Sequence, residues 1–222
     1  MYTSRPVSIV VASPFPELEI SKWCHSVGKR TFDLACAVPA LLLSLPLISI
    51  IAVVIRFTSK GPVLFRQNRV GRDGREFELL KFRTMTHGTG GPGITARGDA
   101  RITRVGSALR DSKMDELPQL FNVISGAMSL VGPRPDLGEI WTELPADQRK
   151  VLTLRPGLTG WATLHFRHEE ELLAHIPPQN LRDYYIKTLL LQKVQLDLEY
   201  ARKASFLNDL LILFRSALAI MR

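Results

Sequence analysis

The chain has little cysteine and carries none of the common nucleotide-binding or hydrolase motifs. Cys24 and Cys36 are its two cysteines, and Cys36 lies in an apolar stretch, so a disulfide framework is not expected and a reducing cytoplasm fits. The sequence has no Walker A loop, no Gly-x-Ser-x-Gly and no dinucleotide fingerprint. His168 and Glu169 begin a zinc-protease pattern, but Leu172 replaces its second histidine, which argues against a zinc site.

Charged residues are absent from positions 34–55, the longest apolar run in the chain. A helix of about 20 residues crosses the roughly 30 Å hydrocarbon core of a bilayer, so the run predicts either a membrane helix or a deeply buried core helix. Both flanks are basic, and basic flanks stay in the cytoplasm. A helix that enters the bilayer, bends near Pro46 and returns is therefore favoured over a simple span. The flanking basic residues are Lys22, Lys29, Arg30, Arg56, Lys60, Arg66 and Arg69.

The net charge of the chain is strongly positive. A formal charge of +8 and a pI near 9.8 suit anionic partners, such as lipid head groups, nucleotides or nucleic acid. Prolines and a lack of periodicity mark the first segment. We therefore predict a loosely ordered arm over residues 1–28, a re-entrant membrane helix over 29–58, and a cytoplasmic catalytic domain over 59–222 that ends in an amphipathic helix.

Outside the apolar run, the pattern predicts a mainly α fold with one short β-hairpin. Residues 63–65 and 77–82 are β-prone and flank 71–74, where Asp-Gly and paired glycines tolerate the positive φ of a turn. The glycine-rich loop over 86–100 is either a lid over a site or a plain linker. The amphipathic segment 205–222 lies either in the membrane interface or on the protein core. Further helices are predicted over 102–109, around 117–124, over 169–174 and from about Leu181 onward, with an interruption around Ala204.

Two adjacent carboxylates, Asp115 and Glu116, are the first candidates for chemistry. Ser112 and Asp115 precede an apolar helical face and Pro118 suits a first turn, so the pair is predicted at a helix N-terminus, where the dipole favours anions. There an ionised aspartate can attack phosphorus, and a neighbouring glutamate can hold a divalent metal. The simpler alternative is that Asp115 only caps the helix.

Several basic residues lie in conformationally restricted segments. Prolines on both sides fix Arg134, and arginine is the usual bidentate partner of a phosphate. Lys81 lies near the end of the second predicted strand, and Arg155 begins an Arg-Pro-Gly segment. Taken singly, each of these basic residues is more simply interpreted as a surface charge in contact with water. Around an acidic pair, however, such cations match what metal-assisted phosphoryl transfer needs.

These residues belong to an ordered series of motifs that resembles the bacterial sugar transferases of the monotopic phosphoglycosyl transferase type. The similarity runs from about Lys29 to the C-terminus and includes the proline-broken apolar helix. An ordered set of this length is far more specific than any single motif. The other motifs are Lys29-Arg30-Thr31-Phe32-Asp33, Gln67-Asn68-Arg69-Val70-Gly71, Lys81-Phe82-Arg83-Thr84-Met85, Asp115-Glu116-Leu117-Pro118-Gln119-Leu120-Phe121-Asn122-Val123, Met128-Ser129-Leu130-Val131-Gly132-Pro133-Arg134-Pro135 and Arg155-Pro156-Gly157-Leu158-Thr159-Gly160-Trp161-Ala162.

The resemblance implies an enzyme that moves a sugar 1-phosphate from a UDP-sugar to a polyprenyl phosphate, usually undecaprenyl phosphate, and releases UMP. This reaction initiates surface polysaccharide or glycoconjugate biosynthesis. By resemblance, Asp115 is the nucleophile that forms a covalent phosphosugar intermediate, and Glu116 helps to bind Mg²⁺. Arg134 matches the phosphate-binding arginine of the family. The other basic positions matched near the site are Lys81, Arg110 and Arg155.

The resemblance also implies a location at the cytoplasmic face of the bacterial inner membrane, with both termini in the cytoplasm. The first helix of the family is re-entrant, and some members have Ser-Pro at its break. Here Leu45-Pro46 stands at that place with Ser44 just before, and a serine hydroxyl there can bond to a carbonyl freed by the proline. Membrane lipids are expected partners and nucleic acid is not. The sugar and the oligomeric state, including a homo-oligomer, stay open.

Two other readings compete with the transferase. One is a membrane-anchored basic module that binds nucleic acid or anionic lipid without catalysis; it explains the charge but not the acidic pair among constrained arginines. The other is a single-span anchor with its domain outside the cytoplasm. The basic flanks and the small number of cysteines argue against that topology.

Overall fold

The longest element is a single helix, α1, which runs from Val27 to Thr58 although Pro39 and Pro46 lie inside it. The computed structural model describes residues 19–89, 94–145 and 148–220. Helical hydrogen bonding persists through both prolines, so the re-entrant bend stays a prediction. The Ser44 hydroxyl donates to the carbonyl of Leu41 at 3.0 Å. Pro46 leaves the carbonyl of the next residue, Leu42, without a helical partner. The Ser44 hydroxyl therefore bonds to a different carbonyl from the one that the proline frees.

The remaining elements are short and mainly helical, as the sequence predicts. The predicted hairpin and the interruption around residue 204 are both confirmed. A second, smaller sheet was not predicted. The elements are β1 (Leu64–Val70), β2 (Glu76–Phe82), α2 (Arg104–Asp111), α3 (Gln119–Ser125), β3 (Ser129–Val131), α4 (Gly138–Thr142), β4 (Gly157–Thr159), α5 (Trp161–His165), α6 (Glu169–Ala174), α7 (Leu181–Tyr184), α8 (Leu191–Lys203) and α9 (Phe206–Ile220).

Helix α1 buries one narrow stripe and exposes the rest of its apolar surface. Its buried residues recur at four-residue spacing, from Lys29 through Asp33 and Ala37, and again at Ile51 and Ile55. By length and composition α1 is able to cross a membrane. Because single apolar residues on a surface are common but a continuous apolar face is not, this face marks a contact with an apolar environment. Its exposed members are Val38, Leu42, Leu43, Leu45, Leu47, Ile50, Val53, Val54 and Phe57.

The hairpin β1–β2 is antiparallel, with Leu64 opposite Phe82 and Val70 opposite Glu76. Its turn contains Asp73 and Gly74, which have φ of 58° and 74°. Asparagine, aspartate and glycine tolerate this left-handed region best, which is why Asp-Gly marks the turn. The first strand is longer than predicted because the polar and charged residues 66–69, together with Val70, also pair.

The second sheet consists of β3 and β4, which are parallel and almost fully buried. It joins two segments that are distant in sequence, and each carries a glycine at the closest approach. A Cβ on Gly132 would lie 2.5 Å from the carbonyl oxygen of Arg155, and one on Gly157 would lie 2.2 Å from the backbone nitrogen of Gly132. The two glycines therefore allow the backbones to meet.

One junction joins α1, α8 and α9 through a buried aspartate. Asp209 accepts hydrogen bonds from Lys29 Nζ at 2.7 Å, Trp23 Nε1 at 2.8 Å and the Tyr200 hydroxyl at 2.7 Å. Residues 19–28, which the sequence places in the arm, thus contact the domain, and Ser21 N also donates to the carbonyl of Ala201 at 2.9 Å. Residues 1–18 lie outside the described residues.

The apolar face of α9 points outward. Within α9, Asp209 and Ile212 are buried, whereas the residues of the predicted apolar stripe are exposed. Of the two predicted locations for this segment, packing of the stripe on the protein core is therefore not observed. The exposed residues are Phe206, Leu207, Leu210, Leu211, Phe214, Leu218 and Ile220.

Candidate active site

Strand β2 and helix α3 form the frame of the site. Asn122 clamps the two elements together: its side chain accepts from the backbone nitrogen of Leu80 at 3.0 Å and donates to the carbonyl of Glu78 at 2.8 Å. Lys81 is the residue of β2 that follows Leu80, so the clamp fixes the backbone from which the Lys81 side chain extends. Sequence reasoning did not single out Asn122, because an amide in a helix shows its partner only in the folded chain.

The two carboxylates lie in a 3₁₀ turn, Met114–Glu116, just before α3. The turn follows Lys113, whose φ of 55° reverses the chain after α2. The N-cap of α3 is Pro118, with no side-chain capping bond. Asp115 is therefore not a helix cap, and the prediction that the pair opens the helix is off by one turn.

Lys81 and Arg134 converge on Glu116. Lys81 Nζ lies 2.7 Å from Glu116 Oε1 and 3.9 Å from Asp115 Oδ2. Arg134 Nη2 donates to the same Glu116 oxygen at 2.9 Å. The described residues give Asp115 no hydrogen bond, although Asp115 is only 6 % exposed. One oxygen of Glu116 thus binds two cations, while the neighbouring Asp115 carboxylate is buried without a hydrogen bond from the described residues.

The first two residues of the loop that carries Arg134 are held by the second sheet. Gly132 N donates to the carbonyl of Thr159 at 2.9 Å, and Gly157 N donates to the carbonyl of Pro133 at 2.8 Å. Because Pro133 and Pro135 also restrict φ, few conformations are left to the loop. The Arg134 side chain remains 36 % exposed, so its other donors are open to a ligand.

A buried polar chain lies behind this loop and joins it to the hairpin and α8. Asp136 accepts from Arg69 Nη1 at 3.1 Å and from the Tyr185 hydroxyl. Lys193 lies 3.4 Å from that hydroxyl and 2.6 Å from Glu169 Oε2. Tyr185 begins a π-helical segment, Tyr185–Leu190, between α7 and α8, and such segments often occur at functional sites. Sequence reasoning missed this chain, because its members are spread over more than 120 residues.

The surroundings of the two carboxylates shift their pKa values in opposite directions. Burial raises the pKa of Asp115, and nearby Glu116 adds to this rise, although Lys81 and Arg110 oppose it. Burial also acts on Glu116, but there Lys81 and Arg134 outweigh it and hold the pKa of Glu116 well below its usual range. Glu116 in turn raises the pKa of Arg134. Adjacent titratable groups with opposed shifts are typical of catalytic sites.

The other two predicted phosphate ligands lie in different places. Arg110 is beside the carboxylates, where its Nη1 donates to the Thr84 hydroxyl at 3.3 Å and its Nη2 to Glu170. Arg155 lies in another basic group, because burial and then Arg30 and Arg72 lower its pKa. The structure therefore brings five of the six predicted basic and acidic site residues together, and Arg155 is the one that lies elsewhere. The group brought together is Asp115, Glu116, Lys81, Arg134 and Arg110.

A divalent cation fits this donor set through the carboxylate oxygens that remain free. Glu116 Oε2 accepts no hydrogen bond from the described residues, and Asp115 is adjacent. Groups of three or more metal-ligating side chains are absent among the described residues. Mg²⁺ is usually held by one or two carboxylates together with substrate phosphates and water, so Glu116 would be its protein ligand here.

A buried acidic pair among convergent lysine and arginine side chains is the arrangement of a phosphoryl-transfer site. The profile of one family, described as bacterial sugar transferase, matches residues 24–222. The chain therefore belongs to the bacterial sugar transferase family, as its motifs indicated.

Curated relatives carry sugar-phosphate transferase names. The chain is 36 % identical to a UDP-glucose:undecaprenyl-phosphate glucose-1-phosphate transferase from Caulobacter vibrioides, over 100 % of this chain and 76 % of the relative. It is 38 % identical to an undecaprenyl-phosphate glucose phosphotransferase from Komagataeibacter xylinus, over 94 % of this chain and 38 % of the relative. It is 37 % identical to a UDP-N-acetylgalactosamine-undecaprenyl-phosphate N-acetylgalactosaminephosphotransferase from Aeromonas hydrophila, over 87 % of this chain and 43 % of the relative. The chain thus spans about two fifths of the length of the last two.

Proposed function

We propose that this protein transfers a sugar 1-phosphate from a UDP-sugar to undecaprenyl phosphate. The observation that carries the proposal is the contrast within the acidic pair: Glu116 is neutralised by Lys81 and Arg134, whereas Asp115 is buried and accepts no hydrogen bond from the residues that the structure describes. A buried carboxylate without hydrogen-bond donors is poorly solvated and therefore more nucleophilic. The family and the names of its relatives support the same reaction class.

The reaction has two displacements at one phosphorus atom. An Asp115 oxygen attacks the sugar-bearing phosphorus; the bond from that phosphorus to the bridging oxygen breaks, and UMP leaves with the oxygen. A phosphate oxygen of the lipid then attacks the same phosphorus. The bond to Asp115 breaks, the carboxylate is restored and a polyprenyl diphosphate sugar forms. Each step exchanges one P–O bond for another, so no external oxidant or reductant is needed.

The surrounding cations lower the charge barrier to this attack. Lys81 and Arg134 offset the negative charge of Glu116, so an approaching diphosphate is repelled by one carboxylate, that of Asp115, rather than by two. Arg134 keeps donors for a phosphate oxygen, and Arg110 adds a positive charge beside Asp115. Bound by Glu116, Mg²⁺ would supply further charge neutralisation on the diphosphate.

We further propose that α1 and α9 place the site at the cytoplasmic membrane surface. Both ends of α1 contact one domain: Lys29 pairs with Asp209 near its start, while Ile51 and Ile55 pack with Phe82 near its end. A helix that crosses a bilayer puts its ends on opposite sides, so these contacts support a re-entrant α1. The outward apolar face of α9 supports contact with the membrane interface.

Topology is tested by cysteine accessibility. Ser26→Cys and Ser59→Cys place one thiol at each end of α1, in a chain whose own cysteines are replaced by serine. A membrane-impermeant maleimide should label neither position in intact cells and both in inverted membrane vesicles. Labelling of Ser59→Cys from outside would support a crossing helix and contradict the re-entrant one.

The reaction is tested with a panel of UDP-sugars, undecaprenyl phosphate and Mg²⁺. UMP release should require the lipid and the metal, and the sugar that supports it identifies the donor. Without lipid, labelled UMP should exchange into the UDP-sugar, because a covalent intermediate forms reversibly. Release without exchange would contradict the aspartyl intermediate. Tight binding to anionic vesicles with no release from any donor would favour the non-catalytic module.

A further inference from the structure

The first turn of α6 carries three consecutive glutamates, and each binds a different basic residue. Glu169 pairs with Lys193 at 2.6 Å. Glu170 pairs with Arg110, and Glu171 pairs with Arg97. Three like charges in one turn repel each other, so each needs its own partner. The turn therefore ties together three regions that are remote in sequence: the loop before α2, α2 itself and α8.

The partner of Glu170 differs from the other two because it belongs to the active site. Arg110 lies five residues before Asp115, and its field acts on the Asp115 carboxylate. Its side chain is 19 % exposed, and its Nη1 donates to the Thr84 hydroxyl at 3.3 Å. The charge of this arginine is therefore neutralised by Glu170, and no hydrogen bond or ion pair joins Glu170 to Asp115 or Glu116 among the described residues.

The Glu170 carboxylate presents to Arg110 the same kind of anionic acceptor as a phosphate oxygen. Carboxylates and phosphates bind a guanidinium in the same geometry, by charge-assisted N–H···O bonds. Glu170 is 37 % exposed, so its carboxylate is able to return to water when Arg110 changes partner. Its backbone is held independently, because Arg97 N donates to the Glu170 carbonyl at 2.9 Å and Glu169 anchors the turn on Lys193.

We propose that Glu170 is an internal competitor for the donor diphosphate: it holds Arg110 in the free enzyme and releases it to a phosphate oxygen when the nucleotide binds. This inference rests on the proposed function. Glu170 thereby lowers donor affinity and keeps Arg110 from collapsing onto the nearby nucleophile, Asp115. A ligand binds Arg110 only if its phosphate displaces the Glu170 carboxylate. This requirement favours a charged diphosphate over a neutral sugar.

Glu170→Gln tests the competition because it keeps the shape of the side chain and removes its charge. UDP with Mg²⁺ is the probe, and its Kd is measured by calorimetry in an Asp115→Asn background, where Arg110 has no charged Asp115 to bind instead. The Kd for UDP should fall about fivefold, the size expected for an exposed ion pair. The gain should shrink as NaCl rises, because the lost pair is partly exposed.

Two further variants make the result specific. Glu171→Gln, one residue along, removes an exposed pair with Arg97 and should leave the Kd unchanged. In an Arg110→Gln background, Glu170→Gln should not lower the Kd for UDP, because the arginine for which Glu170 and UDP compete is already gone. The four variants form a double-mutant cycle. If the Kd for UDP is unchanged or higher in Glu170→Gln while the parent protein still binds UDP, this inference alone is overturned. No UDP binding by the parent protein, together with no UMP release by the wild type, overturns the proposed function as well.

Discussion

Two buried ionic clusters in this protein look alike in composition but differ in how well they are satisfied. At the helix junction, Asp209 is fully buried and accepts three hydrogen bonds, from Lys29, Trp23 and Tyr200. In the active site, Asp115 is nearly as buried but accepts no hydrogen bond from the described residues, and its nearest cation, Lys81, is 3.9 Å away.

This difference separates a structural charge from a reactive one. Removing a carboxylate from water is costly, and only complete hydrogen bonding offsets that cost. The junction offsets it, and so fixes α1 and α9 on the domain. At the candidate active site, Asp115 accepts no hydrogen bond from the described residues and burial raises its pKa, which is the environment expected of the nucleophile that we propose. Variants of each cluster test this contrast.

The largest effect is expected from Asp115→Asn. UMP release should fall at least about 10³-fold, because the nucleophile is lost. The free energy of unfolding should rise by about 0.5–2 kcal/mol, because a neutral amide avoids the penalty of the buried charge. UMP assays and denaturant unfolding measure the two effects. Asp111→Asn, on an exposed neighbouring residue, is the control; equal UMP release by the two variants would mean that Asp115 is not the nucleophile.

The junction should respond in the opposite way. Asp209→Ala leaves the buried Lys29 ammonium with only the more distant Asp33, 4.0 Å away, so the free energy of unfolding should fall by about 3–5 kcal/mol. Glu199→Ala removes an exposed pair with Lys203 and should cost less than about 1 kcal/mol. Chemical denaturation in detergent measures both. A small loss in Asp209→Ala would mean that the junction is not a structural anchor.

Arg134 should separate charge from geometry. Arg134→Ala should lower kcat/KM by about 10²–10³-fold, the usual loss for one electrostatic donor at a reacting group. Arg134→Lys should recover part of the activity, because it keeps the charge but loses the planar fork. Steady-state kinetics against the best donor measures the loss. Arg182→Ala, which breaks an exposed pair with Glu143, is the matched control and should be silent.

The pH dependence should be the subtlest difference. Asp115 must be ionised to attack, and its pKa is raised, so kcat/KM should fall on acidification at a higher pH than the ordinary aspartate value of about 3.9. Glu116 has a lowered pKa, so its contribution to stability is present above its unfolded pKa of about 4.3 and is lost below it. Activity should therefore be lost before stability. A pH–rate profile and unfolding curves in the same buffers compare the two, and a joint loss at one pH would contradict the assignment.

Local chemistry made much of the molecule predictable. Asp-Gly in the hairpin turn, the long uncharged run of α1 and the amphipathic α9 follow from φ preferences and periodicity, which depend on neighbouring residues only. The acidic pair and the proline-flanked Arg134 were also visible, because residue type and spacing suffice to suggest phosphate chemistry. The place of Asp115 in a 3₁₀ turn was not, since the left-handed Lys113 before it carries no strong signal.

Contacts between remote segments were decided by tertiary structure alone. The sequence determined that Asp115, Glu116, Lys81 and Arg134 are candidates, but the parallel pairing of β3 with β4 and the Asn122 clamp decide that they meet. The same holds for Glu170, whose partner Arg110 lies 60 residues away. Long-range pairs depend on which surfaces the packed core brings together, and side-chain spacing along the chain does not encode that.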